Sequence, residues 1–356
     1  MRATRAPSRT RLVASQAELV STVWPVRSSR PTATISTRVA ESGDMRRRGA
    51  ALARDRRSGA TALARLAARL LRARARDHDK SLARWQRELR QGGHALVAAQ
   101  PAMGSLLTVV EIAFRAAEQA VTPGEGARAV ERSLERFLRD QPRALAGAMA
   151  RLPHLLPRRA TCLTLSSSEA VFGALVAAHG RGRLAAVIVA ESRPGCEGVA
   201  TARRLAAARI PVRLVVDALA PATVRDADAV VVGADAVTSA AVWNKCGTFA
   251  VALAARAVGR PLLVVTAEDR LLPAPLARRL RLPEAEPAAV LRHPPRGVAV
   301  VNRLFECTPL DLTSRVVTES GVWTPSAVRA RLADGKVSGW WAVAPRRGRG
   351  GTRPRR

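Results

Sequence analysis

The stretch AVVVGADAVTSAAVWNKCGTFA, residues 229–250, ends an apolar run on Asp235 and places Asn244–Lys245 and Gly247–Thr248 just ahead of an Ala-rich segment. A carboxyl at the end of a buried strand is partly desolvated. That raises its affinity for a proton and suits it to acid–base chemistry near neutral pH. The same position also suits a plain turn or helix cap. Lys245 is one of three lysines among 59 basic residues. Three other segments carry similar side chains. In Thr164–Leu165–Ser166–Ser167–Ser168, hydroxyls at a helix start can cap the helix or hold an anion on free N–H groups. In ESRPGCEG, residues 191–198, Arg193 offers a guanidinium fork to a phosphate, or simply occupies a surface turn. Thr266–Ala267–Glu268–Asp269–Arg270 adds another cation, Arg270. Each signal alone is weak. Together they gather acids, hydroxyls and three cations at strand ends, the pattern expected of a site for a phosphorylated small molecule.

The elements that would position these residues follow from hydrophobic periodicity. Residues 1–45 are rich in Ser, Thr, Pro and Arg and read as a disordered basic tail. They resemble a transit peptide or an upstream extension from an early start codon, and the latter is favoured. Residues 46–155 read as a helical domain: Leu63, Leu66, Leu70 and Leu71 recur at helix spacing, Gly92–Gly93 breaks a second helix, and Pro101 sits near the start of a third. From 156 to 340, short apolar strands alternate with helices, the signature of a parallel sheet covered on both faces. Residues 341–356 read as a second basic tail. The expected fold class is therefore α/β: an N-terminal helical bundle followed by a Rossmann-like parallel-sheet domain. Ligands of such sheets bind beyond the carboxyl ends of the strands. Asn244–Lys245 is read as a loop.

The 356 residues carry a net charge of +31, nearly all of the basic residues are arginine, and the basic runs at the two ends, residues 1–45 and 341–356, carry +10 of that charge. That pattern fits a GC-rich codon bias and basic tails that bind nucleic acid only non-specifically. No segment is long and apolar enough for a membrane span. The four cysteines, Cys162, Cys196, Cys246 and Cys307, form no CxxC. Their scatter fits free thiols in a reducing cytoplasm, with no metal site and no disulfide framework.

These residues also carry a resemblance. GADAVTSAAVWNKCGTFAVALAARAVGRPLLVV, ESRPGCEGVATARRLAAARIPVRLVVDAL and FECTPLDLTSRVVTESGVWTP resemble the eukaryotic initiation factor 2B alpha/beta/delta family. That family is related to the methylthioribose-1-phosphate and ribose-1,5-bisphosphate isomerases. The likeness covers roughly residues 50 to 335. It implies that Asp235 holds the seat of a proton-transferring aspartate and that Asn244–Lys245 contacts substrate phosphate. It places Arg193 in an Arg-Pro loop and Arg270 as a further cation. A phosphate-binding turn would fall on Arg57, Ser58, Gly59 and Ala60. The isomerases carry a Thr-His-Cys-Asn-like loop after the first strand. Here Leu165 and Ser166 follow Thr164, so Ser166 replaces the cysteine, and a hydroxyl is a far weaker acid than a thiol. Glu197 stands where the family has Gln. Cys196, in the Arg-Pro loop, is the alternative thiol. Cys162, about 13 Å back along the strand, is read as core, Cys246 as packing at a helix start and Cys307 as part of a turn. The resemblance thus implies a protein that binds a phosphorylated sugar or nucleotide and, if active, isomerises an aldose phosphate to a ketose by altered chemistry, without a cofactor. The alternative is a non-catalytic regulatory or scaffold subunit with translation-factor partners. A homodimer is expected in either case.

Overall fold

The computed structural model describes residues 52, 55, 59–333 and 335–342. The expectations for the 1–45 tail, for Arg57 and Ser58, and for the chain after 342 lie outside the described residues.

Four helices come first: α1 (Ala60–Arg76), α2 (Leu82–Ala99), α3 (Gly104–Glu118) and α4 (Pro123–Arg151). In α1 the leucine stripe does what its spacing predicts, and Leu63, Leu70 and Leu71 are buried. Thr122 caps α4 by accepting a hydrogen bond from the Glu125 N–H at 3.2 Å, with Pro123 in the first turn. Gly92–Gly93 does not break α2, contrary to the sequence reading. A Cβ on Gly93 would lie 2.7 Å from the Phe114 ring of α3. The glycine therefore lets two helices approach closely, and the helix gains more from that packing than glycine costs it. Phe114 also packs on Trp340 and Trp341, with ring centroids 5.4 and 5.0 Å away. The chain after the sheet thus returns to the helical layer, where Glu111 accepts from the Ser338 N–H at 3.0 Å.

From residue 160 the period changes. Strands β1 (Ala160–Leu165), β2 (Leu184–Ala190), β3 (Val212–Val215), β4 (Ala229–Val232), β7 (Leu262–Val265), β9 (Arg315–Val317) and β10 (Val322–Trp323) form one sheet in the order β10-β9-β7-β4-β1-β2-β3. All pairs are parallel except β10 with β9. Helices α5 (Glu169–Gly180), α6 (Glu197–Ala207), α7 (Thr248–Ala257) and α8 (Pro325–Ala333) complete the α/β part. Two buried clusters, one around Leu163 and Val230 and one around Cys162 and Val231, contain side chains of neighbouring strands pointing to opposite faces. The strand order runs outward from β1 to β3 and then restarts on the other side at β4. A crevice opens where such an order reverses, here between the ends of β1 and β4.

A second sheet was not foreseen. Strands β5 (Ala236–Val237), β6 (Ala241–Lys245) and β8 (Phe305–Pro309) pair antiparallel. Asn244 faces Glu306 and Lys245 faces Phe305 across it. Asn244–Lys245 is therefore strand, not loop, and Cys307 lies in β8 opposite Trp243 rather than in a turn.

Gly93→Ala should destabilise the protein by about 1–3 kcal/mol through overpacking against Phe114. Gly124→Ala, near the start of α4 with only an arginine tip at 3.6 Å, should be neutral or slightly stabilising. Denaturant unfolding of both variants checks this; equal stabilities would contradict the packing argument.

Candidate functional site

Asp235 leaves the end of β4 through Gly233–Ala234 and enters the small sheet. Its N–H donates to the Trp243 carbonyl at 2.8 Å, and its own carbonyl accepts from the Gly104 N–H, at the start of α3, at 2.8 Å. One residue is thus held by the main sheet, the small sheet and the helical layer. Its side chain is half-buried. Burial pushes the carboxyl up to about 6, against the pull of the Arg270 and Lys245 charges. The desolvation expected from its place at a strand end is therefore the larger effect.

Arg270 is 5% exposed. It donates to the Ala234 carbonyl at 3.0 Å and to Thr61 Oγ1 of α1 at 2.7 Å, and its Nε lies 3.8 Å from Asp269. Two of its nitrogens thus brace the backbone beside Asp235 against the first helix. Its charge still reaches Asp235.

Lys245 is 6% exposed, and its Nζ donates to Glu197 Oε1 at 2.7 Å. The same ammonium lies 5.3 Å from the centre of the Phe305 ring. Asn244 donates to Thr248 Oγ1 at 3.0 Å, and Thr248 Oγ1 donates to the Lys245 carbonyl at 2.6 Å. The Asn amide therefore fastens the start of α7 to the end of β6.

The loops after β1 and β2 are tied together. Ser166 is left-handed, with φ 64°. Its N–H donates to Ser192 Oγ at 2.7 Å, and its carbonyl accepts from Thr201 Oγ1 at 2.7 Å. Asp217, at the end of β3, accepts from the N–H groups of Ser192 and Arg193 at 2.7 and 2.6 Å. Arg193–Pro194 is cis. Cys196 is left-handed, half-buried, and its Sγ lies 3.9 Å from the Pro194 carbonyl. Ser167 is exposed, and Ser168 caps α5 by accepting from the Val171 N–H at 3.4 Å. Gly59 lies at the start of α1, exposed, where its carbonyl accepts the first helical bonds. Ser192, Thr201 and Asp217 were missed in the sequence. Asp217 alone had a legible signal, a carboxylate closing an apolar strand.

The cysteines divide as their surroundings dictate. Cys162 is fully buried, and burial pushes its thiol up to about 12. Burial pushes Cys246 up to about 11. Neither is a ready thiolate. Among the described residues no group of three or more His, Cys, Asp or Glu is placed to hold a metal ion. No helix among them is long and apolar enough to cross a membrane.

A cavity of about 290 Å³ opens between the helical layer and the strand ends. Leu63, Gln100, Met103, Glu197, Lys245 and Phe305 line it. The structure thus couples Asp235, Lys245 and Arg270 by charge, and joins Lys245 to the Arg-Pro loop through Glu197. Asn244 and Arg270 spend donors on the protein itself.

Known proteins resemble this chain in sequence and fold. The model of the Initiation factor 2 subunit family matches residues 56–325. The ribose 1,5-bisphosphate isomerase of Archaeoglobus fulgidus is 30% identical over 278 residues, covering 75% of this chain and 85% of that protein. The translation initiation factor eIF2B subunit alpha of Dictyostelium discoideum is 33% identical over 184 residues, covering 48% of this chain and 57% of that protein. Among solved structures, a translation initiation factor eIF-2B from Pyrococcus horikoshii OT3 shares the fold with a TM-score of 0.68 at 24% identity, covering 79% of this chain and 97% of that one.

The Asp235 carboxyl binds its proton more tightly in the folded protein, at about 6 against 3.8 for the free group. Its contribution therefore lowers stability as pH rises from about 4 to about 6, and the loss persists above that range. Asp235→Asn removes that loss. Its stability relative to wild type should be more favourable at pH 8 than at pH 4.5 by about 2 kcal/mol. Urea unfolding at both pH values measures the difference; the same relative stability at both would show that the carboxyl is not perturbed.

Proposed function

Since the chain belongs to the initiation factor 2 subunit family, we propose that its crevice binds a phosphorylated pentose and that Asp235 moves a proton on it. The observation that carries this reading is the placement of the Asp235 carboxyl at the strand-order reversal, where burial pushes it up to about 6. In a pentose 1-phosphate the anomeric oxygen keeps its phosphate, so conversion to the 2-ketose moves the C2 hydrogen to C1, breaks the C1–O4 ring bond and passes the O2 proton to O4. It needs a group able to take and return a proton near neutral pH. As a carboxylate, Asp235 can accept the carbon-bound proton and then return it to the neighbouring carbon. Lys245 and Arg270 offset the negative charge of the carboxylate and of the bound sugar phosphate. The left-handed Ser166 and the N-terminus of α5 at Ser167–Ser168 supply hydroxyls and N–H groups to the phosphoryl end, with Arg193 beside them. Cys196 is the thiol of the Arg193–Pro194 loop. Arg57 and Gly59 are assigned to the same anion by family likeness.

A second reading is a non-catalytic subunit of a translation-factor assembly. Two observations favour it: a serine, Ser166, where the related isomerases are expected to have a thiol, and Glu197 already paired with Lys245. In both readings the chain self-associates. Phe249 and Leu253 stand 38% and 46% exposed, four residues apart on α7, an apolar stripe of the kind that partners cover.

Phosphorus NMR of the protein with ribose 1,5-bisphosphate, and separately with a pentose 1-monophosphate, tests the first reading. New ketose-phosphate resonances from either, absent with Asp235→Asn and appearing faster as pH rises through about 6, support it. Resonances that broaden without conversion leave the non-catalytic reading. Sharp, unchanged resonances for both sugars refute phosphopentose binding. Sedimentation should show a dimer that Phe249→Arg with Leu253→Arg converts to monomer; a monomeric wild type would dismiss the self-association.

A further inference from the structure

Helix α4 turns a row of guanidinium groups to solvent. Arg128, Arg132, Arg136, Arg139 and Arg143 are all exposed. They recur every three or four residues, so they fall within an arc of about 80° and along about 22 Å of the helix. The opposite side carries Ala127, Val130, Leu134 and Ala148, all buried. The acids of α4 leave most of this row alone. Glu131 accepts from Arg72 at 3.3 Å and from Arg76 Nε at 3.0 Å, and Glu135 also accepts from Arg72, so both are held by α1. Glu125 accepts from the Val121 N–H at 3.2 Å. Asp140 meets the row at one point, 3.3 Å from Arg139. Among the described residues, Arg128, Arg132, Arg136 and Arg143 have no ion pair or hydrogen bond. Like charges one turn apart destabilise a helix. The row is therefore a cost to α4 until an anion covers it.

The chemistry of the face selects its partner. Apart from the arginines and the acids already named, the exposed positions of α4 beyond residue 128 are Pro142, Ala146 and Ala150. A protein interface is anchored by large apolar or aromatic side chains at its centre, and this face has none. A membrane-surface helix needs its apolar side free, and that side of α4 is buried in the core. Single-stranded nucleic acid is held by exposed aromatic side chains that stack on its bases, and α4 exposes no aromatic. A duplex needs only repeated positive charge, since it carries one phosphate charge per about 1.7 Å of axis, and a guanidinium fork fits a phosphate. We infer that the exposed face of α4 is a docking surface for the phosphate backbone of a nucleic-acid duplex, bound without regard to sequence. It stands apart from the strand-end crevice, and it is distinct from the two basic ends, which hold +10 of the +31.

Fluorescence anisotropy of a labelled DNA duplex of about 20 base pairs, titrated with the full chain from about 50 to about 200 mM salt, tests this. One variant carries Arg132→Gln, Arg136→Gln and Arg143→Gln. A control carries Arg203→Gln, Arg225→Gln and Arg256→Gln, exposed arginines of the α/β part. Both keep the basic ends and lose the same net charge. The α4 variant should bind at least about tenfold more weakly at low salt, with a log–log salt slope shallower by about 2–3, because three phosphate contacts are gone. The control should stay within about threefold of wild type. Arg132→Lys, Arg136→Lys and Arg143→Lys together keep the charge and should also bind within about threefold of wild type. Equal losses in the α4 variant and the control would show that net charge alone matters, and would overturn the inference. So would an α4 variant that binds like wild type, or a lysine variant as weak as the glutamine one. Polyglutamate, titrated in parallel, should lose little in the α4 variant; a loss as large as the duplex shows would reassign the face to an acidic protein segment.

Discussion

The backbone of Gly233–Ala234–Asp235 is the constraint on which the rest of the site depends. It continues β4 past the point where the strand order reverses, and its polar groups are then taken by three different parts of the protein. Arg270 holds the Ala234 carbonyl, Gly104 holds the Asp235 carbonyl, and Trp243 holds the Asp235 N–H. These bonds fix where the Asp235 side chain can point and keep much of it from water. Its raised proton affinity follows from that burial, not from a neighbouring negative charge. The helical layer is thus part of the site: Thr61 of α1 holds the far end of Arg270, and the residues facing the cavity from α1 and the α2–α3 connection supply its apolar wall.

The cations are largely committed before any ligand arrives. Arg270 braces backbone, and Lys245 is engaged by Glu197. Burying an ammonium is tolerable only with such a partner, because desolvation removes most of what the charge gains from water. The loops after β1 and β2 are built on another principle. Ser192 and Asp217 hold Ser166 and Arg193 by their backbone N–H groups, so their conformation is set by short hydrogen bonds with little dependence on ionic strength.

Much of this was legible in the sequence. Alternating apolar strands and helices after residue 160 announced the parallel sheet, and the place of Asp235 at a strand end announced a desolvated carboxyl. The small sheet was not legible, because β6 and β8 lie some sixty residues apart and each is too short to show a period of its own. The Gly92–Gly93 pair misled for a related reason: its meaning depends on Phe114 in the next helix, and local propensity cannot report a tertiary approach. Glu197 was visible as an unexpected charge in the Arg-Pro loop. Its pairing with Lys245 was not, since that depends on a strand and a helix start forty-eight residues apart meeting at one cavity wall.

The chemistry of the site stands on the proton affinity of one carboxyl. Carbon-13 aspartate labelling, with the signal assigned by its loss in Asp235→Asn, gives the titration of Asp235 directly. A midpoint at about 6 is the expected result. A midpoint at or below about 4, the ordinary aspartate range, would mean that the strand end is solvated and that Asp235 is a structural cap, with no proton to move near neutral pH.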